Sequence, residues 1–176
     1  MIENAIDASN YYKELVYSKI RYYLQSYYNM EFNATQIDDD NGGCLFISDL
    51  ASACNIIEMK KRGITHVLSV VLGLDPLYPT DFVYKNVHIR DNEMQNLCQY
   101  FDECSKFIDD AIKNGGKVLV HCSYGISRSA SIVIAYYINT KKMSYMDAYE
   151  YVKSKRTIIE PNDGFKKQLL LYSNPK

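Results

Sequence analysis

Residues 117–138 read KVLVHCSYGISRSASIVIAYYI, and this stretch decides the fold. The apolar run Val118–Val120 stops at His121-Cys122, small and polar residues follow, and an apolar stretch of helical character opens at Arg128. Such a pattern predicts a buried strand, a tight loop and a helix. In an α/β sheet, ligands gather beyond the carboxyl ends of the strands, where the following helices begin. If Ser123, Tyr124, Gly125, Ile126, Ser127 and Arg128 curl into the helix start, their N–H groups can converge on one point. That makes an anion cradle, reinforced by the positive end of the helix dipole. Gly125 permits the tight backbone path, and Arg128 adds a planar fork suited to two phosphate oxygens.

The same field acts on Cys122. A thiol among N–H donors and a guanidinium at a helix N-terminus is expected to ionise easily. Held under a bound phosphate, the thiolate is a nucleophile aimed at phosphorus. Ser129 can donate a hydrogen bond to the sulfur and ease its later departure. His121 reads as a structural donor beside the loop, because a thiolate already formed needs no base. A bare Cys-x5-Arg arises by chance in roughly one such chain in seven, so it is the strand, glycine, serine and helix around it that give it meaning. Phosphoryl transfer from a poor leaving group also needs an acid. Asp91, just after the strand-like VHIR, is the first choice; Glu93 competes on the same loop, and Asp75 and Asp81 are weaker.

Outward from this stretch, TQI and CLFIS read as β pieces joined by turn chemistry over Asp38–Gly43, and LASACNIIEMKKRG as one helix stopping at Gly63. ITHVLSVV and FVYKNVHI read as strands. Leu97, Phe101, Cys104, Ile108 and Ala111 share one helical face, ended by Gly115-Gly116. Ser144 with Asp147 forms a capping-box pattern, and a last helix follows Pro161-Asn162. The alternation predicts an α/β domain whose central, mostly parallel sheet is flanked by helices.

The chain of 176 residues is long enough to bury a core as one domain, and a net charge of −1 gives no reason to expect nucleic acid or an anionic membrane as partner. Five cysteines without CxxC spacing indicate neither a disulfide framework nor a zinc ribbon. With no basic, apolar leader at the N-terminus and no membrane-length apolar run, a cytoplasmic location with nuclear access is the expectation. Tyrosine is over-used, with 17 residues and no tryptophan. Tyr12, Val16, Ile20, Tyr23 and Tyr27 recur at helical spacing, predicting an extra N-terminal helix within a tyrosine-rich segment, 1–33, ahead of a domain spanning 34–176. That helix either packs on the domain or offers a homodimer or partner contact.

HCSYGISRS, Cys122 to Ser129 with His121, resembles the HCxxGxxR[S/T] signature of cysteine-dependent protein phosphatases, and GISRSA resembles the form found in dual-specificity phosphatases. LFISDLASACNIIEMKKRGITHVLSV, AYYI and IEPNDGFKKQL are similar to other segments of that family, so the resemblance runs from about Thr35 to Leu170. It implies the cysteine-phosphatase fold and a phosphocysteine intermediate on Cys122. Arg128 is then the phosphate clamp, Asp91 the acid and later the base, and Ser129 the aid to breakdown of the intermediate. Asn162 is implied as a support for the loop, a role compatible with a plain helix N-cap. No metal or cofactor is implied, since amides and arginine supply the positive charge. Two positions depart from the family's habit: Ser48-Asp49 where Gly-Ser is common, and Tyr124 where alanine is frequent. His66 and His88 read as structural.

The implied activity is hydrolysis of phosphotyrosine and phosphoserine/threonine in a phosphorylated protein substrate, since nothing resembles the long loop that deepens tyrosine-only pockets. The same chemistry on a phosphoinositide or an RNA 5′-phosphate is the alternative, disfavoured by the uncharged Ser123, Tyr124, Ile126 and Ser127. An inactive phosphate-binding scaffold is the third reading; cysteine, arginine and acid are all present, which argues against it.

Overall fold

The structure, a computed structural model, describes residues 31–40 and 42–174. The helix expected over Tyr12–Tyr27 lies outside these residues. Among the described residues the strands are β1 (Thr35–Asp40), β2 (Gly43–Ser48), β3 (His66–Val70), β4 (Val83–Val87) and β5 (Lys117–His121). They form one sheet of order β1-β2-β5-β3-β4, in which only the β1–β2 pair is antiparallel. β5 is central and covered on both faces, which is why Val118-Leu119-Val120 is an unbroken apolar run. The pleat still divides the side chains. Val118 and Val120 join Leu45, Ile47, Leu68 and Val70 on one face, while Leu119 joins Cys44, Phe46 and Val67 on the other.

The second face is covered by two short helices, α1 (Leu50–Cys54) and α2 (Ile56–Lys61), with Ala53 and Met59 buried against Phe82 and Ile64. The first face carries α3 (Phe101–Lys113), α4 (Arg128–Lys141), α5 (Tyr145–Lys155) and α6 (Asp163–Ser173). α4 runs through their middle, packed by α3, α5, α6 and the sheet, and every residue from Arg128 to Ile138 is buried. This explains a helix so poor in charge. The predicted α3 face is buried as a unit, from Leu97 through Ala111, and Ser144 caps α5 by accepting the Asp147 N–H at 3.1 Å.

Two expectations are corrected. The single helix expected from Leu50 to Gly63 is broken at Asn55 (φ −90°, ψ 78°), whose Oδ1 accepts the Glu58 N–H and starts α2 afresh. An asparagine able to bond the backbone locally competes with helix continuation. The turn expected over Asp38–Gly43 is shorter, because Asp38, Asp39 and Asp40 continue β1 opposite Leu45, Cys44 and Gly43. Three aspartates are tolerable on an edge strand, where charge also discourages pairing with another chain. Asp38 accepts a hydrogen bond from the buried Tyr137 hydroxyl at 3.1 Å, and Tyr137 meets Tyr151 edge-on at 4.9 Å. Among the described residues no helix is long and apolar enough to cross a membrane.

Candidate active site

β5 delivers Cys122 to the carboxyl edge of the sheet, and the chain from Ser123 to Ser127 loops into the first turn of α4. A tight loop has as many carbonyls as amides, so an anion cradle needs the carbonyls turned away. Here three of them are held from outside: Ser123 O by the Leu50 N–H at 3.3 Å, Gly125 O by Arg156 Nε at 3.0 Å, and Ile126 O by the Glu160 N–H at 2.9 Å. The Gly125 N–H turns inward onto Cys122 Sγ at 3.3 Å. Gly125 must be glycine: its φ is +68°, and a Cβ would lie 2.7 Å from the Ser48 carbonyl.

Cys122 is 1% exposed, and Ser129 Oγ donates to its sulfur at 3.3 Å. Burial pushes this thiol up, but the Ser129 hydroxyl and amide, the Arg128 charge and the Tyr124 N–H together bring it below the ordinary thiol value. The other four cysteines go the opposite way. Burial pushes Cys54 and Cys104 up to about 12, and raises Cys44 and Cys98 as well. Of the five thiols, Cys122 is the one whose surroundings favour the ionised form.

Arg128, buried at the start of α4, spans the site. Its Nη1 donates to Ile89 O at 3.2 Å and its Nη2 to Ser123 Oγ at 2.9 Å, while Nε lies 3.5 Å from Asp91 Oδ2. Asp91 itself is gripped at Oδ1, which accepts from Ser127 Oγ at 2.7 Å and from Asn162 Nδ2 at 2.8 Å. Ser127, expected only as a loop residue, thus uses its hydroxyl on the acid and accepts the Asn162 N–H at 3.1 Å. Asn162 serves twice: Oδ1 caps α6 through the Phe165 N–H at 3.0 Å while Nδ2 holds Asp91. Gly164 lets this loop approach, since a Cβ there would overlap the Glu93 backbone.

Of the other carboxylates weighed on sequence, Glu93 is exposed on the Asp91 loop, and Asp75 lies in the connection between β3 and β4. Asp81 precedes β4 at the far edge of the sheet, paired with Lys60 at 2.5 Å. His66 and His88 also lie away from Cys122: His66 bonds Thr65 at 2.8 Å, and His88 Nδ1 accepts the Gly73 N–H at 3.2 Å. Tyr124 stands 73% exposed at the rim. Arg156 escaped the sequence reading, because a basic residue ending a helix ordinarily sits in solvent.

His121 is 1% exposed, and burial takes its pKa down to about 4, against the pull of the Cys122 backbone and Asp49. It is therefore neutral at pH 7. Below the ordinary histidine value of roughly 6.5 the unfolded chain takes up a proton that the folded chain refuses, so stability falls as pH drops toward 4. The expected loss is on the order of 3 kcal/mol across that window. Urea midpoints measured from pH 7 to pH 4 check this, and the slope should flatten in His121→Gln; an unchanged slope would assign it to other groups.

A family model for the dual specificity phosphatase catalytic domain matches residues 45–175. Dual specificity protein phosphatase 1B of Arabidopsis thaliana is 49% identical over 125 residues, covering 71% of this chain and 75% of that protein. Dual specificity protein phosphatase 1 of the same plant is 47% identical over 125 residues, 71% of this chain, and the match spans 63% of its length. Among solved structures, the human tyrosine phosphatase-like serine/threonine/tyrosine-interacting protein superposes with a TM-score of 0.74 at 36% identity, covering 81% of this chain and 96% of that one.

Proposed function

The chain belongs to the dual specificity phosphatase family, and on that footing we propose that it hydrolyses phosphotyrosine and phosphoserine/threonine in proteins through a phosphocysteine intermediate. The observation that carries this reading is the contrast among thiols: Cys122 alone of the five cysteines is depressed, and it lies at the floor of a loop whose carbonyls are held outward.

In the first step Cys122 Sγ attacks phosphorus and the bond from phosphorus to the ester oxygen breaks. The leaving oxygen takes a proton from Asp91. Since Oδ1 already accepts two hydrogen bonds, Oδ2 is the oxygen left to carry that proton. Arg128 Nε, without a hydrogen-bond partner among the described residues, is a donor available to a phosphate oxygen. In the second step Asp91 takes a proton from water, the water oxygen bonds to phosphorus, and the P–S bond breaks to release inorganic phosphate. The Ser129 hydroxyl stabilises the departing thiolate. Charge in both steps is met by loop amides and Arg128, a preorganised arrangement that needs no reorganisation as the reaction proceeds.

Protein substrates fit the rim better than polyanionic ones. The loop positions 123, 124, 126 and 127 are uncharged, and exposed Glu93 and Asp163 flank Asp91 and Asn162. Phosphopeptides, inositol phospholipids and 5′-phosphorylated RNA compared by kcat/KM test this; phosphopeptides should lead, and a lead for lipid or RNA would overturn the protein assignment. Asp91→Asn is expected to lower kcat on phosphopeptides by about 10²- to 10³-fold, with a smaller loss on para-nitrophenyl phosphate, whose leaving group needs less protonation. Single-turnover rates on both substrates check it. A larger loss from Glu93→Gln would move the acid to Glu93.

A further inference from the structure

Arg156 takes no part in the chemistry above, yet it is only 3% exposed at the end of α5. Its Nε donates to Gly125 O at 3.0 Å. Its Nη1 reaches three acceptors at the start of β1 and just ahead of it: Asn33 O at 3.3 Å, Asn33 Oδ1 at 3.0 Å and Thr35 Oγ1 at 2.9 Å. Nη2 is buried with no hydrogen-bond partner among the described residues, and a Cβ on Gly125 would fall 2.7 Å from it. These acceptors are all neutral. Sinking a guanidinium among neutral groups is costly, and truncation or a surface position would relieve that cost. Burial disfavours the Arg156 charge, while Asp49 and the Cys122 thiolate favour it; favour between two charges is mutual.

The geometry around Gly125 shows what the burial achieves. With φ at +68°, Gly125 points its N–H at Cys122 Sγ and its carbonyl at Arg156 Nε, on opposite sides of the loop. Letting go of the carbonyl frees the residue to rotate, and rotation takes the N–H off the sulfur. Arg156 is braced in turn by Asn33, which is tied down through its N–H to Ser52 Oγ at 2.8 Å and its Nδ2 to Asp49 Oδ2 at 3.3 Å.

We propose that Arg156 is the positioning residue of the nucleophile: it grips the Gly125 carbonyl from behind the loop, holds the Gly125 N–H on Cys122 Sγ and so keeps the sulfur ionised, with Asn33 as its brace. This rests on Cys122 being the nucleophile. It also makes the chain just ahead of β1 part of the device that sets reactivity.

The test is the pH profile of Cys122 alkylation by iodoacetamide, read by peptide mapping, together with kcat and KM on para-nitrophenyl phosphate. Arg156→Met should raise the alkylation midpoint by about one pH unit, a roughly tenfold loss of thiolate at pH values below it. Its kcat/KM should fall about 10²-fold, as expected when a preorganised donor is lost. Arg156→Lys, which keeps the charge and loses the fork, should fall between Met and the unsubstituted protein. Asn33→Ala, at an exposed position, leaves Arg156 in place and loosens its brace; it should move both readouts the same way by about two- to threefold. A folded Arg156→Met protein with an unshifted midpoint overturns the proposal. If that variant does not fold, unshifted profiles in Arg156→Lys and Asn33→Ala overturn it. An unsubstituted protein whose Cys122 titrates like an ordinary thiol would instead overturn the nucleophile reading, and this proposal with it.

Discussion

Cys122→Ser is expected to lose at least about 10⁴-fold in kcat, with metal-free hydrolysis of para-nitrophenyl phosphate falling to background. The loop lowers the proton affinity of a sulfur through the Ser129 hydroxyl and amide, the Arg128 charge and the inward N–H groups of Tyr124 and Gly125. They act on serine too, but an alcohol starts many units higher and stays protonated. His121 is buried as a structural group and gives it no base, and Asp91 is tied by Ser127 and Asn162 beside Arg128 rather than to residue 122. Binding should survive, because the amides and Arg128 remain. The measurement is kcat with vanadate-sensitive turnover as reference, plus the affinity of the variant for a phosphopeptide. Serine-variant turnover above about one hundredth of the reference would sink the covalent mechanism.

Arg128→Lys is expected to cost about 10³-fold in kcat/KM, although the charge is retained. The guanidinium joins three places at once: Ile89 O, which leads into the acid loop, Ser123 Oγ in the nucleophile loop, and the neighbourhood of Asp91 Oδ2. An ammonium at the end of a flexible stem can satisfy one of them, and it meets phosphate oxygens as a point charge without planar geometry. The loss should appear in kcat as well as in KM, because the acid and the nucleophile lose their common tie. A lysine variant within tenfold of the unsubstituted protein would mean that charge alone suffices.

What could be read from the chain beforehand was whatever is encoded locally. Strand, loop and helix around Cys122 follow from a short apolar run, a glycine and a second apolar run, all within neighbouring residues. The buried face of α3 follows from periodicity alone. Asn55 was misread because one asparagine within an apolar pattern looks like a surface position, and whether it continues or restarts a helix depends on how the chain turns over the sheet. Asp38 to Asp40 were misread because composition says turn, while pairing to β2 says strand. Arg156 was invisible for a stronger reason: its partners, Asn33, Thr35 and Gly125, are distant in sequence, and nothing beside it marks it as buried. The grip of Ser127 and Asn162 on Asp91 joins three separate segments in the same way. Residue types at the candidate site were legible; the ties that orient them were not.

The three outward-held carbonyls have a consequence for how the protein comes to life after synthesis. Their donors are Leu50, Arg156 and Glu160, drawn from α1 and from the link between α5 and α6. The loop cannot take its working shape from its own sequence, nor from β5 and α4 alone. Long-range contacts of this kind close late, after the entropy of joining distant segments has been overcome. Until those segments dock, the loop lacks the ties that turn its amides inward, so Cys122 is expected to react as an ordinary thiol. Refolding followed by thiol alkylation should show this as a lag behind the return of helical signal.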